Sequence, residues 1–365
     1  MKPIVLLKDF KEDYRFSMDI YAESLSKALQ EYDSDAFEIH DFTPKMPAFL
    51  QNKWGMRFAR YILYPLQIPR KTTTLYHIID HGYGHLIFLL NPNKTVITVH
   101  DLIPVVRWKN GIPHVPSKRI PLLALFSLQG IKRAKRVITD SECTTRDIVH
   151  YIGCDPEKIK VVYPGIDPMF QPYSSEEKTL AKARWFGDDP HGQYVLIMGD
   201  QFYKNPETVL ETIQLLNQQG HKSIRIVKTR EPDNYWNSLI NKYGGKDLVI
   251  HVGDVSREKI PDLINAVDLL FFPSLYEGFG WPPLEAMACG IPVVSSNAGS
   301  LPEVIGNVGI MHDPKDVTGF AHEIDRILND TEYRDLLIAQ GFKQASKFTW
   351  QSAASEIVEI YKEMS

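Results

Sequence analysis

The sequence predicts an α/β protein made of two doubly wound parallel-sheet domains. The first observation is alternation: short apolar runs of strand length, such as 96–99 and 269–272, are separated by segments with apolar residues at helical spacing. The second is a cluster of proline and glycine at 164–172, which indicates a linker. Because 365 residues suffice for two substantial cores, we place the domains at 1–170 and 171–348.

Charge is divided unevenly between the two predicted domains. Residues 1–170 carry 23 Lys and Arg against 18 Asp and Glu, a net charge of +5, whereas residues 171–365 carry 18 against 27, a net charge of −9. A basic first half favours an acidic surface or substrate nearby. The chain has no stripe of alternating basic and aromatic residues and its pI is about 6.3, which excludes nucleic acid as the expected partner.

Several features predict a cytoplasmic location. No apolar run approaches the roughly 18 residues of a membrane span. The start, MKPIVLLKDFKED, turns acidic too soon for a signal peptide and is interpreted as a first core strand. The three cysteines show no metal-type spacing and are interpreted as plain thiols in a reducing compartment: Cys143, Cys154 and Cys289.

A basic and aromatic stretch at 53–71 leaves two interpretations open. One face of an amphipathic helix there could lie on an anionic membrane or a polyprenyl-linked acceptor, at the inner face of the membrane. Alternatively, the helix packs on the core and its basic face is simply solvated. The residues concerned are the cations Lys53, Arg57, Arg60, Arg70 and Lys71 and the aromatics Trp54, Phe58, Tyr61 and Tyr64.

The most informative stretch is 268–306. A short buried strand at 269–272 is followed by a tight turn in which Gly278 and Gly280 bracket Phe279, and then by a helix that starts with two prolines. Parallel sheets hold ligands at the carboxyl ends of their strands. Glycines allow close approach to the backbone, and a helix start attracts phosphate.

Two carboxylates, Glu277 in the turn and Glu285 on the helix, lie in this stretch. Carboxylates repel phosphate but accept hydrogen bonds from sugar and ribose hydroxyls. The combination predicts a ligand with both phosphate and hydroxyls, such as a nucleotide sugar. The alternative is an ordinary helix on which Glu285 is solvated.

These residues resemble a known signature. Glu277 and Glu285, separated by seven residues within SLYEGFGWPPLEAMACGIPVV and followed by SSNAGSLPEVIG, are similar to the donor site of the retaining glycosyltransferases of family four, which have the GT-B fold. The resemblance covers most of 94–365 and 1–93 only loosely. It implies two Rossmann-like domains facing each other across a cleft, with the last helix, about 349–365, returning to the first domain.

The resemblance also implies roles for individual residues. Glu277 would bind donor-sugar hydroxyls, Glu285 the ribose and Lys204 the diphosphate, while His100 would reach the sugar from the first domain. Backbone N–H groups of the Gly278–Gly280 turn would donate hydrogen bonds to the diphosphate. The remaining donor-side candidates are Asp254 and Val255, in a loop that would receive the base, and Glu303, which would orient the turn that follows.

This chain departs from the family pattern in two places. The usual glycine-rich loop after the first strand is replaced by KDFKEDYRF, where Arg15 could supply a cation instead. The arginine that the family often sets before Lys204 is absent, with Lys228 and Arg230 as candidates to replace it. His81 and Asp101 are added as acceptor-side candidates.

Three histidines, His77, His81 and His85, occur four residues apart. This is metal-site spacing on a helix, but Gly82 and Gly84 argue against a helix, so we expect a strand running into a loop.

The expected function is retaining transfer of a hexose from a nucleoside-diphosphate sugar, GDP-mannose or a UDP-hexose, to a hydroxyl of a glycan, lipid-linked or small-molecule acceptor in polysaccharide or glycoconjugate biosynthesis. No Asp-x-Asp motif stands where it would hold a diphosphate through a metal, so the resemblance implies no metal and no cofactor. Two alternatives stay open: a catalytically silent nucleotide-sugar-binding protein, and a GT-B sugar epimerase.

Overall fold

The computed structural model describes residues 1–13, 15–32, 36–70, 74–113, 115–187, 189, 192–220, 224–243 and 248–365. Lys71, one of the cations of the basic stretch, lies outside them. The chain forms two compact units. Unit 1 comprises Met1–Gly165 and Phe348–Ser365, and unit 2 comprises Ile166–Lys347.

Unit 1 contains a six-stranded sheet in the order β2-β1-β3-β4-β5-β6, with every neighbouring pair parallel. Its strands are β1 (Lys2–Leu7), β2 (Phe37–Phe42), β3 (Leu75–Ile78), β4 (Thr95–Val99), β5 (Arg136–Thr139) and β6 (Ile159–Val161). Its helices are α1 (Phe16–Glu31), α2 (Lys53–Phe58), α3 (Tyr64–Gln67), α4 (Ile103–Trp108), α5 (Leu122–Arg133), α6 (Glu142–Asp147) and, from the C-terminal segment, α15 (Trp350–Glu363). A π-helical turn, Ala59–Leu63, joins α2 to α3.

The strand order of unit 1 reverses between β1 and β3. Ile4 of β1 pairs with Leu75 of β3, so the residues that follow both strands lie at the same edge of the sheet. In open parallel sheets this switch point is where ligands bind.

Helix α15 packs on the α1 side of unit 1. Trp350 contacts the ring of Tyr21 edge-on, with ring centroids 5.5 Å apart. The buried Tyr361 hydroxyl lies 2.7 Å from Nδ1 of His77, a residue of β3. Thr349 caps the helix by accepting a hydrogen bond from the N–H of Ser352.

Unit 2 contains a second six-stranded parallel sheet, in the order β12-β11-β10-β7-β8-β9. Its strands are β7 (Gln193–Ile197), β8 (Ile224–Lys228), β9 (Val249–His251), β10 (Leu269–Phe272), β11 (Val293–Ser296) and β12 (Ile310–His312). Its helices are α7 (Ser175–Phe186), α8 (Pro206–Gln218), α9 (Asn234–Lys242), α10 (Ile260–Asn265), α11 (Trp281–Ala288), α12 (Leu301–Ile305), α13 (Val317–Asn329) and α14 (Thr331–Ala345).

The sheet of unit 2 is covered by helices on both faces. Successive residues of β10 point to opposite sides: Leu269 and Phe271 belong to one apolar cluster, and Leu270 and Phe272 belong to the other. A parallel strand buried on both faces needs an apolar residue at every position, which explains the uninterrupted run that the sequence shows. The strand order reverses between β7 and β10, so this pair marks the switch point of unit 2.

The predicted fold class, two doubly wound parallel sheets, is confirmed. The interpretation of the first residues as a core strand is also correct, since they form β1. Among the described residues, no helix combines the length and the apolar character that a membrane span requires.

Candidate functional site

The loop after β10 is held in place by its neighbours at the carboxyl edge of the sheet. Asn205, at the start of α8, donates its side-chain amide to the carbonyl of Pro273 at 2.9 Å. The N–H of Leu275 donates to the carbonyl of Tyr203 at 2.7 Å. These bonds join the loop that follows β7 to the loop that follows β10, which are the two sides of the switch point.

A second tether comes from the turn after β11. The hydroxyl of Ser300 donates to the carbonyl of Phe279 at 2.6 Å, and the backbone N–H of Ser300 donates to the carbonyl of Glu277 at 3.2 Å. Gly299 has a φ of +61°, and a Cβ there would lie 2.5 Å from the carbonyl oxygen of Glu277. Only glycine allows the turn to approach Glu277 so closely. The turn after β11 therefore holds the backbone of Glu277 in place.

Lys204 and Glu277 form an ion pair at the switch point. The Lys204 ammonium lies 2.7 Å from Oε1 of Glu277, with side-chain exposures of 14% and 9%. A Cβ at Gly199 would lie 2.7 Å from Cε of Lys204, so glycine there leaves room for the lysine stem. The ammonium also lies 4.5 Å from the ring centroid of Phe272, a favourable cation–π distance. The predicted pair of donor-site residues is therefore brought together.

Glu285 on α11 is also paired, with a residue that the sequence analysis missed. Arg257 donates from Nη1 to Oε1 of Glu285 at 2.6 Å, and the guanidinium lies 4.5 Å from the ring centroid of Phe170. Burial raises the pKa of Glu285 above its ordinary value, and Arg257 opposes that shift. A carboxylate requires a partner when it is buried. The occurrence of Glu285 on an otherwise apolar helix is therefore the sequence signal that indicates a nearby cation.

Lys228 and Arg230, the two cations predicted to replace the family arginine, lie in very different surroundings. Lys228 is buried and donates to Asp200, to the carbonyl of Thr229 at 2.9 Å and to the carbonyl of Arg230 at 3.3 Å. Its three N–H donors are thus occupied. Arg230 is exposed and lies 3.7 Å from Asp254. Of these two, Arg230 alone is accessible to a ligand.

The other donor-side candidates lie in segments that follow β9 and β11 of the same sheet. The side chain of Asp254 is 91% exposed, and Val255 is partly buried beside it in the loop after β9. Glu303 lies in the first turn of α12 and is half-buried.

The turn before α11 ends at Gly280, whose φ is +113°. Pro282 and Pro283 lack N–H groups, so the start of α11 offers fewer donors to a phosphate than the sequence analysis supposed. Backbone contacts would have to come mainly from the turn itself, in which Gly278 and Phe279 precede Gly280.

His100, at the end of β4, is buried in unit 1 with both ring nitrogens engaged. Nδ1 lies 2.6 Å from a carboxylate oxygen of Asp140, and Nε2 lies 2.9 Å from the carbonyl oxygen of Ile79. Burial lowers the pKa of His100, but Asp140 outweighs that effect and raises it to about 9. The ring is therefore a charged imidazolium that donates twice. In this arrangement neither nitrogen is available to a ligand.

The carboxyl ends of β1 and β3 carry a compact charged group. Arg15 pairs with Asp80, which also accepts the N–H of Gly82 at 2.6 Å. Burial would raise the pKa of Asp80, but Arg15 holds it far below its ordinary value. His81 has Nδ1 3.4 Å from Asp80, and burial lowers its pKa. Burial, followed by the charge of Asp80, raises the pKa of Asp9. The charge of Arg15 is thus matched within unit 1.

Asp101 has a local structural contact. Its Oδ1 accepts the N–H of Ile103 at 2.8 Å, at the start of α4.

The loop expected at 81–85 is wrong, because His81–Leu89 forms a 3-10 helix. Gly84 serves close packing there: a Cβ would lie 2.4 Å from the carbonyl oxygen of Ser127 in α5. His85 bonds to Ser127 at 3.0 Å and to the carbonyl of Arg60 at 2.9 Å, and His77 bonds to Tyr361 and Thr98. The described residues contain no group of three side chains able to hold a metal ion.

Comparison with known families separates the chain into two matching parts. Residues 15–170 match the sequence model of Glycosyltransferase Family 4, and residues 184–344 match that of Glycosyl transferases group 1. The O-antigen chain mannosyltransferase B of Escherichia coli is 30% identical over 329 residues, covering 87% of this chain and 83% of that protein. The mannosyltransferase WbdA of the same organism is 29% identical over 279 residues, covering 73% of this chain and 33% of that protein.

Solved structures agree in fold. The sucrose-phosphate synthase of Thermosynechococcus elongatus aligns with a TM-score of 0.76 at 19% identity, covering 100% of this chain and 99% of that one. HepE of Anabaena, solved with UDP and glucose, aligns with a TM-score of 0.75 at 17% identity, covering 99% of both chains. This chain therefore belongs to glycosyltransferase family four and has the GT-B fold.

Proposed function

We propose that the protein is a retaining, metal-independent mannosyltransferase that transfers the sugar of GDP-mannose to a hydroxyl group of a glycan or lipid-linked acceptor in polysaccharide biosynthesis. The observation that carries the proposal is the ion pair of Lys204 and Glu277 at the switch point of unit 2. It combines a cation for phosphate with a carboxylate for sugar hydroxyls on rigidly held loops.

Lys204 would neutralise the departing diphosphate. An ammonium group has three N–H donors, so Lys204 can retain Glu277 while it contacts a phosphate oxygen. Charge builds on the diphosphate as its bond to the sugar breaks, and a fixed cation there stabilises the transition state more than the bound donor. In support of metal independence, the described part of the chain offers no cluster of metal-ligating side chains at this edge.

Arg257 and Glu285 would hold the nucleoside side of the donor. One carboxylate oxygen of Glu285 accepts from Arg257, which leaves the other oxygen for ribose hydroxyls. The guanidinium is a candidate for the second cation that the diphosphate requires, in place of the family arginine missing before Lys204. Asp254 and Val255 would border the base.

Retention of configuration would follow from attack on the same face from which the diphosphate leaves. The acceptor oxygen forms the new bond to the sugar, the bond from the sugar to the diphosphate breaks, and the acceptor proton passes to the departing diphosphate. The contribution of the protein is then positioning and charge stabilisation rather than a covalent intermediate. His100 would act indirectly, as a charged group that fixes the ends of β4 and β5.

Two further points support the finer assignment. The relatives described above are named mannosyltransferases, which favours mannose as the sugar. Cys143, Cys154 and Cys289 are buried and form no disulfide bond within the described part of the chain, which suits a reducing cytoplasm.

The test is release of nucleoside diphosphate from GDP-mannose, with UDP-glucose in parallel, by the parent protein, Lys204→Ala and Lys182→Ala. Lys182 is the matched control, since it is a partly buried lysine of the same unit and lies 3.4 Å from Asp268. We expect turnover of GDP-mannose by the parent protein, a strong reduction in Lys204→Ala and little change in Lys182→Ala. Turnover of UDP-glucose alone would refute the assigned donor. Binding of donor without release would identify a silent binding protein instead.

A further inference from the structure

One helical segment of unit 1 presents an apolar stripe to solvent. Trp54, Phe58, Ile62 and Leu66 are exposed by 74%, 52%, 49% and 72%. They recur every four residues along α2, the π-helical turn and α3. An α-helix turns once in 3.6 residues, and the wider π turn offsets part of the resulting drift, so the four side chains project from one side.

The opposite side of this segment is firmly attached to the unit. A Cβ at Gly55 would lie 2.3 Å from the carbonyl oxygen of Leu50, and Ala59 is fully buried. The Tyr64 hydroxyl donates to the carbonyl of Lys8 at 2.6 Å. The outward apolar stripe therefore belongs to a well-packed helix with a defined orientation.

The first turns of α5 extend the apolar surface. Leu122 and Phe126 are exposed by 81% and 46%. The Tyr61 and Ser127 hydroxyls, 3.5 Å apart, join the two helical segments. A cavity of about 390 Å³ lies between them, lined among others by Met56, Arg57, Arg60, Tyr61, Leu122 and Leu123.

The charge around this surface is mainly positive, and Asp13, the carboxylate that lines the cavity, is paired with Arg60. Residues 42–79 contain six Lys and Arg and no Asp or Glu, and residues 102–139 contain eight Lys and Arg and no Asp or Glu. Both helical segments lie in these acid-free ranges. The exposed cations nearest in sequence to the apolar side chains are Lys53, Arg57, Lys118 and Arg119. We call Trp54, Phe58, Ile62, Leu66, Leu122 and Phe126, with these four cations, the basic apolar face.

We propose that the basic apolar face binds the surface of an anionic phospholipid bilayer. Apolar side chains that enter the interface, combined with cations that meet anionic headgroups, are the two signals that stable peripheral binding requires. A second copy of the same face is a poor occupant, because a symmetric contact would set cations against cations. The inference concerns binding alone and does not depend on the proposed reaction.

The test is co-sedimentation of the full chain with vesicles of phosphatidylcholine alone or of phosphatidylcholine and phosphatidylglycerol in equal parts, without donor. We expect binding to the anionic vesicles only, weakening as salt screens the headgroups. Lys53→Gln/Arg57→Gln should weaken binding about 25-fold, at about fivefold for each cation. The matched control Lys27→Gln/Lys343→Gln removes two exposed cations outside the acid-free ranges and should leave binding unchanged.

Trp54 provides a direct readout. Its emission should shift to the blue on anionic vesicles and be quenched by brominated lipid, and Trp54→Phe should lose most of this signal while the protein still sediments. Phe58→Ser/Leu122→Ser should reduce sedimentation, with unfolding temperature as the check on folding.

Three results would overturn the proposal. These are failure of the parent protein to bind anionic vesicles, equal losses in the control variant, and light scattering that shows a dimer in the parent but a monomer in the face variants. The last result would mean that a second copy covers the face.

Discussion

Removing the Lys204 ammonium should affect folding and turnover by separable amounts. In Lys204→Ala the carboxylate of Glu277, which is 9% exposed, loses the cation that lies 2.7 Å away. The pair is intermediate between an exposed ion pair and a fully buried one, so we expect unit 2 to lose about 2 kcal/mol of unfolding free energy. Its unfolding transition should fall by about 4–8 °C, at about 2–4 °C per kcal/mol for a unit of this size.

Turnover should fall much further than stability. A fixed charge at a developing diphosphate is worth about 2–4 kcal/mol of transition-state stabilisation, or roughly 30- to 1,000-fold in rate. Adding Glu277→Gln to Lys204→Ala removes the uncompensated charge and keeps the shape of the side chain. The double variant should therefore regain most of the lost stability while its turnover stays at or below that of Lys204→Ala.

The assay combines thermal unfolding with steady-state release of nucleoside diphosphate for the parent protein, both single variants and the double variant. Lys182→Ala, which breaks another ion pair of the same unit, controls for the general effect of losing a partly buried lysine. If turnover of the double variant recovered together with its stability, Lys204 would act on structure alone. The assignment to the diphosphate would then be refuted.

Three other predictions follow from the sites. Glu285→Gln should mainly weaken nucleoside-diphosphate affinity, because ribose contacts are similar in ground and transition states, and Glu277→Gln should mainly slow transfer. Calorimetric titration of both variants, combined with steady-state rates, checks this. Unchanged affinity in Glu285→Gln would refute the ribose role. Activity in excess EDTA should equal that with magnesium, and a loss in EDTA that metal restores would contradict metal independence. His100 should contribute about 3 kcal/mol to the free energy of unfolding, because its pKa is raised from 6.5 to about 9. The full contribution is present below pH 6.5 and is lost as the pH rises to about 9. Asp140→Asn should flatten this dependence in urea unfolding, and an already flat profile in the parent would show that His100 is neutral.

The fold was predictable because strand and helix periodicities are local properties of the sequence. The apolar run at 269–272 forms β10, and the glycine-bearing turn follows it as expected. The signature with Glu277 and Glu285 also identified the family, because its residue types and spacing are specific. These features can be recognised without knowing which residues lie on the neighbouring strands.

The partners of the site residues were not predictable in the same way. Arg257 stands 28 residues before Glu285 and belongs to no recognisable motif, so only the path of the chain through α10 and β10 brings the two together. Asp140 stands 40 residues after His100, directly after the end of β5, which pairs with β4. A pattern shows which residue carries a charge, but the pairing of that charge depends on tertiary structure.

Gly82 and Gly84 show the converse case, in which a local property of the sequence predicted the wrong structure. Glycine is a helix breaker in isolation, which predicted a loop. Here Gly84 and Gly130 bring the 3-10 helix and α5 into direct backbone contact, since a Cβ at Gly130 would lie 2.0 Å from the carbonyl oxygen of Gly84. Close packing between two segments has no local signature.

The place of α15 in unit 1 has a consequence for how the protein is made. Unit 2 is continuous in the chain, whereas unit 1 takes its last helix from residues that follow unit 2. At about 5–20 residues per second, a ribosome needs roughly 10–40 s to pass from Gly165 to Tyr361. Until then His77 lacks its Tyr361 partner and Tyr21 lacks Trp350. The nascent first half thus displays an uncovered apolar surface, a natural substrate for chaperones, and the second unit can finish folding before the first.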